Sequence, residues 1–489
     1  MNAQSKKRGI KRVHGLLLTL LLLPGLILSS CKKEEEPLLI ADVEETGITE
    51  AWEDESDSGS PDHLSPDSSD QYFSSDFDRR CDINVCESET RIYYVCSGGV
   101  LDNFREHGQK SIYYADKQSG VHGVLCSREG CDHRETDCPG VLGNDSLISL
   151  ALYEGKLLAA FSAGSNGEKI RILSGNTDGS GFSELGTIVK SSFEAAEENS
   201  QIASVCFHRG YCYVLSTFFT ENTPEESAFP VFTELSSRLT RFSLDNLNLS
   251  EELCLDTLHE AWNYISAGIE FDRDDVYLIT HCDESDPESY RRIVRAGERI
   301  LKIQAGKDPE VLYSGEVPVF GAVMVRDGEV QLYGRSIEKS EGLLLVLDPE
   351  KRQFHREQSL GIFPDDGDFF SSFMIPGDGY YIQSIVEGFA SEKDPETETC
   401  QMLRFYGENG QLFSEKTLKF SEILQKLNLN AAEFEDDFRF TAKCFAMDQD
   451  VLFESLNIIG MQKSTQILIR IPVEEGEDWS LLFSDSSAE

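Results

Sequence analysis

Four soft donor side chains crowd one short stretch of the chain. Cys126, Cys131, His133 and Cys138 fall within LCSREGCDHRETDCPG, residues 125–140, spaced as Cys-x4-Cys-x-His-x4-Cys. Thiolate sulfur and imidazole nitrogen suit tetrahedral zinc, and a Cys3His set is one of the standard closed structural sites. The stretch is short, acidic and glycine-bearing, with no core of its own, so a bound metal would order it. The spacing differs from the Cys-x2-Cys of zinc ribbons, and two other chemistries stay open. One is a disulfide, with Cys86 as the nearest partner for the odd thiol. The other is a reactive thiol cluster.

Two more cysteine pairs have hairpin spacing. A three-residue loop at His208–Gly210 would set Cys206 opposite Cys212, and a two-residue turn at Ser88–Glu89 would set Cys81 opposite Cys96. Directly opposed Cβ atoms stand about 4.5–5.5 Å apart, slightly wide of the ~3.8 Å a disulfide prefers. The alternative is buried thiols acting as small apolar residues. The sequence holds no nucleophile elbow, phosphate-cradling glycine loop or HExxH helix, and no catalytic residue is assigned. Acidic pairs such as Asp274 with Asp275 and Asp365 with Asp366 resemble glycosidase carboxylates. With 87 Asp and Glu in the chain, such pairs are expected by chance.

The ends of the chain give location. Lys6, Lys7, Arg8, Lys11 and Arg12 precede the apolar run GLLLTLLLLPGLIL, Gly15 to Leu28, which has signal-peptide length and is shorter than the about 20 residues of a membrane span. Leu28-Ser29-Ser30-Cys31 follows at once. Residues 1–31 resemble a bacterial lipoprotein signal, which implies cleavage before Cys31 and a diacylglyceryl group on its thiol. With two or more acyl chains such an anchor is stable, so the mature protein is expected on the outer, extracytoplasmic face of a membrane. That compartment permits disulfides, and twelve cysteines remain once Cys31 is modified.

Loss of five positive charges with residues 1–30 takes the net charge from −43 to about −48. So acidic a chain is not a nucleic-acid binder. Residues 31–80 carry the lipid site and a Glu-, Asp-, Ser- and Pro-rich tether that cannot bury enough surface to order itself. Its relaxed span is about 40 Å.

From residue 81 to 485 a two-part unit recurs. An apolar hairpin comes first, as in SLALYEGKLLAAFS, SVCFHRGYCYVLS and GIEFDRDDVYLIT, and an alternating strand with a polar turn follows, as in KIRILSGNTDG and RLTRFSLDN. Seven such units appear, and the expected fold is all-β: a β-propeller of seven blades, each with four antiparallel strands, with six or eight blades as alternatives. The best helical pattern is FSEILQKLNLN, Phe420 to Asn430. In an up-down-up-down blade, the link between strands two and three shares a face with the link to the next blade. The long segments, including Phe218 to Arg238, fall in the first kind of link and the cysteine stretch in the second, so both are expected on one face. Arg171, Arg241, Lys302, Arg404 and Arg470 alternate with apolar neighbours, which predicts exposed positions paired with the protein's own carboxylates.

The cysteine stretch, the acidic tether and the degenerate repeats together resemble uncharacterised lipid-anchored propeller proteins of Gram-positive anaerobes, in which a similar cysteine and histidine loop follows an early blade. The resemblance implies location and fold. With the absent catalytic motifs it makes a tethered binding or scaffold module for a surface protein, peptide or glycan the leading expectation. A propeller hydrolase or lyase acting on polysaccharide or cell wall is the alternative, against which the two tryptophans of the folded body, Trp262 and Trp479, argue weakly.

Overall fold

Every hairpin read from the alternation forms, because each places apolar residues on both faces of a strand pair and a turn-forming dipeptide between them. The structure is a computed structural model that describes residues 83–488, apart from 97–109, 132–137, 164–168, 190–200, 224–229, 287–292, 363–368, 388–399, 428–438 and shorter gaps. The chain divides into two units at His63, and all described residues belong to the second. The signal segment, Cys31 and the tether lie outside the described residues. Among the described residues no helix is long and apolar enough to cross a membrane.

The described residues form seven antiparallel sheets in succession, and the strands pair in sequence order in each except for the short fifth strand of the first. Blade one holds Ile83–Glu87, Arg91–Cys96, Lys110–Asp116 and His122–Val124, with Val141–Gly143 paired to its third strand. Blade two starts at Ser146–Tyr153, blade three at Gln201–His208, blade four at Tyr264–Asp272, blade five at Val319–Arg326, blade six at Phe369–Pro376 and blade seven at Arg439–Asp448. The first strand of blade one touches the first strands of blades two and seven, and those of blades two to six touch in succession. The first strands therefore pack side by side from blade one to blade six, and the last blade meets the first. No strand is exchanged between those two, since each sheet is built from one contiguous segment.

Packing between blades supplies the core. Val205 and Phe207 face blade two, against Leu158, Ile170 and Ile172, while Cys206 and Leu215 face blade four, against Ile269 and Leu278. Period-two alternation thus feeds two different interfaces from one strand, at about 1.5–3 kcal/mol for each large apolar side chain buried. Arg299 adds a polar tie, donating from Nε and Nη2 to the two carboxylate oxygens of Asp256 in blade three, each at 2.7 Å.

The helix covers Phe420–Lys426, four residues less than its apolar pattern. Four of the five basic residues meet acidic partners as expected: Arg171 with Glu184 at 3.2 Å, Arg241 with Glu251 at 2.6 Å, Lys302 with Asp275 at 2.5 Å and Arg404 with Glu415 at 2.8 Å. Among its described residues, the segment Phe218 to Arg238 is mostly strand rather than loop. Strand two of blade three runs Tyr211–Glu221 and strand three runs Phe232–Ser243.

Candidate functional site

Three of the four expected metal ligands converge. The Sγ atoms of Cys126, Cys131 and Cys138 all lie within 4.8 Å of one another. His133 lies outside the described residues. The approach to Cys126 is fixed by strand pairing, with the Leu125 amide donating to the Ile112 carbonyl at 2.8 Å. The chain then turns through Gly130 at φ 67°, which favours glycine. Within that turn the Cys131 amide donates to the Arg128 carbonyl, and the Arg128 amide donates to Cys126 Sγ, both at 3.4 Å. Hydrogen bonds of this kind hold a ligand atom in place around a metal. Cys138 is buried and the other two are half-buried, so these three residues can hold a metal ion. Cys86 is a thiol packed in the core between blades one and two with Leu125, and is not one of the converging ligands.

The cysteine link does not simply decorate the face expected for it. Gly179, in the turn after the third strand of blade two, would bring a Cβ within 2.8 Å of the Cys126 nitrogen and the Leu125 carbonyl carbon. By chain direction that turn belongs to the end of blade two opposite the link between its second and third strands. The cysteine link is therefore seated in the seam between blades one and two.

The Cys206–Cys212 disulfide does not form as the spacing suggests. His208 pairs with Tyr211, so the loop is the two-residue Arg209–Gly210, with φ 45° and 79°. Cys206 then stands opposite Tyr213, and Cys212 opposite Phe207. A one-residue slip sends side chains to opposite faces. Cys206 packs toward blade four and Cys212 toward blade two, both as thiols. In blade one the turn is Glu89–Thr90, with the Ser88 amide donating to the Arg91 carbonyl at 2.8 Å. This pairs Cys96 with Ile83, two residues from the expected register, and Cys81 lies outside the described residues.

A second feature builds up where the strands of blades three and four overrun. Strands two and three have 11 and 12 residues in blade three and 11 each in blade four, against 8 each in blades two and five. The extra length lies at the link end, and the two overhangs are knitted together by the segment between the blades. Phe232 and Trp262 exchange backbone bonds of 2.8 and 3.0 Å. Asn263 donates from its side chain to the Pro230 carbonyl at 3.2 Å, accepts from the Ser285 amide at 3.2 Å, and donates its own amide to the Asp283 carbonyl at 3.1 Å. The Arg295 guanidinium lies 3.8 Å over the buried Trp262 ring. Tyr264, 37% exposed, and Val294, 42% exposed, stand on this braced rim.

Beneath the rim is a buried polar group that the sequence reading did not single out. His281, Asp283 and Glu298 are 4%, 3% and 3% exposed. His281 Nδ1 is 2.5 Å from a Glu298 carboxylate oxygen, and its Nε2 is 3.9 Å from Asp283. An ionised Glu298 only accepts, so Nδ1 carries the proton. The ring also meets Phe320 of blade five, at 5.4 Å between centroids. The available signal was period two: Tyr277, Ile279, His281 and Asp283 share one strand face, and its inward pattern turns polar at the link end.

The acidic pair Asp274 and Asp275 is absorbed in ion pairs. Asp274 takes Arg209, and Asp275 takes Lys302 and, at 2.5 Å, Gln304. Partial burial works to raise the Asp275 pKa, but the bonds from Gln304 and Lys302 outweigh it and lower it below the usual carboxylate range. Asp365 and Asp366 lie outside the described residues.

No family model matches the chain, and no curated protein matches its sequence. Among solved structures it is similar to a prolyl endopeptidase, with a TM-score of 0.45 and 10% identity over 83% of this chain and 50% of that one. It is also similar to the β-propeller domain of the Trilobed protease from Pyrococcus furiosus, with a TM-score of 0.42 and 10% identity over 82% and 96% of the two chains. An acylaminoacyl peptidase from Pyrococcus horikoshii gives a TM-score of 0.36 and 12% identity over 81% and 58%. The chain spans about half the length of the prolyl endopeptidase it matches. The likeness reaches the fold and no further.

Proposed function

We propose that the protein is a binding module, held on the outer face of a membrane by a lipid on Cys31, whose propeller presents the rim of blades three and four to a surface protein, peptide or glycan. The observation that carries this reading is the one-sided overrun of two neighbouring blades, locked by Trp262 and Asn263. Long strands braced at their free ends make a rigid platform, and rigid platforms lose little entropy on binding. Tyr264 and Val294 offer it contact area. The tether accounts for how such a platform would stand clear of lipid head groups. On this reading the cysteine link holds one structural zinc through Cys126, Cys131 and Cys138, with His133 completing the set from the sequence. Zinc supplies cross-linking there and no reaction.

The test uses intact cells. Wild-type protein is expected in the membrane fraction and open to added protease, and Cys31→Ser in the soluble extracytoplasmic fraction. Cross-linked wild-type protein is expected to retain a discrete partner that Tyr264→Ala/Val294→Asp loses. Retention of the same partner by that variant would count against the rim, and membrane association of Cys31→Ser against the lipid.

A further inference from the structure

We propose that metal occupancy at Cys126, Cys131 and Cys138 is coupled to the docking of blade one on blade two, with Gly179 of blade two as the positioning residue through which they communicate. This rests on the metal reading given above. Gly179 has φ 84°, and a Cβ built there would fall 2.8 Å from the Cys126 nitrogen, 2.8 Å from the Leu125 carbonyl carbon and 3.0 Å from the Cys126 Cα. These are backbone atoms, which cannot rotate aside as a flexible side chain would. Blade two therefore sets where the ligand-bearing backbone of the link lies.

The turn that carries Gly179 is stiff and is tied a second time to blade one. Asn176 and Ser180 bond through backbone at 2.9 Å and through side chains at 2.9 Å, and Asp178 accepts from the Ser180 amide at 2.7 Å. Thr177 of the same turn hydrogen-bonds the Tyr93 hydroxyl of blade one. Leu125, which precedes Cys126, is buried in the core shared by the two blades, with Leu150, Leu157, Ala159 and Phe161. Movement of the turn therefore moves the first ligand, and movement of the first ligand disturbs the blade interface.

Blade one needs such a clasp more than the others. Its outer strand, His122–Val124, has three residues, whereas the outer strands of blades two and three have 7 and 13. It also meets the last blade, with no strand exchanged between them. A metal joining Cys126 to Cys131 and Cys138 fixes the chain where strand pairing stops. Because binding free energies are reciprocal, whatever loosens the seam weakens the metal by the same factor, and loss of the metal loosens the seam.

The experiment measures the zinc dissociation constant of the full chain by competition with a chromophoric chelator, using Zn2+ alone as probe, for wild type, Gly179→Ala and Gly306→Ala. Gly306 is the matched control: it occupies the corresponding turn of blade four at φ 73°, and a Cβ there meets nothing within 4 Å. Both substitutions carry the cost of a left-handed alanine, and one also pushes on Cys126. The expected result is zinc binding at least tenfold weaker in Gly179→Ala than in Gly306→Ala. Zinc removal from wild type is also expected to speed amide exchange in both 110–131 and 176–182. Should Gly179→Ala fail to fold, Thr177→Val removes only the bond to Tyr93 and is expected to weaken zinc in the same direction by a smaller factor. Equal zinc affinity in the two glycine variants, or in Thr177→Val and wild type, would overturn the coupling and leave the metal standing. A wild-type chain that binds no zinc would overturn both.

Discussion

Replacing His281 by leucine removes the partner that Glu298 meets at 2.5 Å and that Asp283 meets at 3.9 Å, in an interface where both carboxylates are 3% exposed. Leucine fills most of the imidazole volume, so the loss is electrostatic rather than a cavity. Stripping a buried carboxylate of its partner costs about 3–5 kcal/mol, because its charge stays in a poorly solvated place. For some 400 folded residues, at about 2.1 cal/mol/K each, 4 kcal/mol lowers Tm by about 5 °C. Blades four and five share this interface, since Phe320 lies against the ring. The assay is urea unfolding of wild type, His281→Leu, Glu298→Leu and the double variant. The double variant is expected to be more stable than His281→Leu alone, because it removes the stranded carboxylate as well as its partner. A cost below about 1 kcal/mol for His281→Leu, or simple additivity of the two changes, would refute the reasoning.

Other consequences follow from the same contacts. Asn263→Ala deletes two side-chain bonds that join the overhangs, and is expected to speed amide exchange at Ser285 and Phe232 while leaving the Tm within a few degrees. Arg299→Lys keeps the charge and loses the paired geometry on Asp256; a loss of about 1–2 kcal/mol is expected, and an unchanged urea midpoint would count against it. Burial pushes the Cys254 thiol up to about 12, with the Asp256 charge adding to it, and burial likewise raises the Cys212 thiol. Unfolded thiols ionise near 9, so this stabilisation is complete below pH 9 and is lost as pH rises toward 12. The unfolding midpoint should therefore drop between pH 8 and pH 10.5, less so in Cys254→Ala. Zinc binding should weaken on acidification, because the three thiols must release protons to bind it.

The blades were legible because their signal is local. Each hairpin and each third strand carries its own alternation, and the polar turns punctuate them. The outer strands were not, as in Asn246–Leu258, where polar residues dominate and most positions are exposed. Sequence periodicity is weak wherever a strand buries little. Turn length was misread at His208 for a tertiary reason. Arg209 takes a left-handed conformation unusual for a side-chain-bearing residue, and His208 bonds the Arg273 carbonyl of the next blade at 2.5 Å. The pairing of Cys206 with Cys212 depended on that one residue of register. Three donors of the cysteine link were visible from spacing alone. The role of Gly179 was not, since it lies some fifty residues away and acts through backbone contact. The rim also escaped the sequence, because segments that looked like insertions continue as strands.

The central claim is that the rim of blades three and four meets a partner at the cell surface. The most direct measurement places a photo-cross-linking amino acid at Tyr264 or Val294 on the rim, and at Glu154 or Asp274 in hairpin turns at the opposite end of the blades, each in the full chain on intact cells. The account predicts a discrete covalent adduct from the two rim positions and none from the turns. Adducts from the turns alone, equal adducts from all four positions, or none from the rim would contradict it.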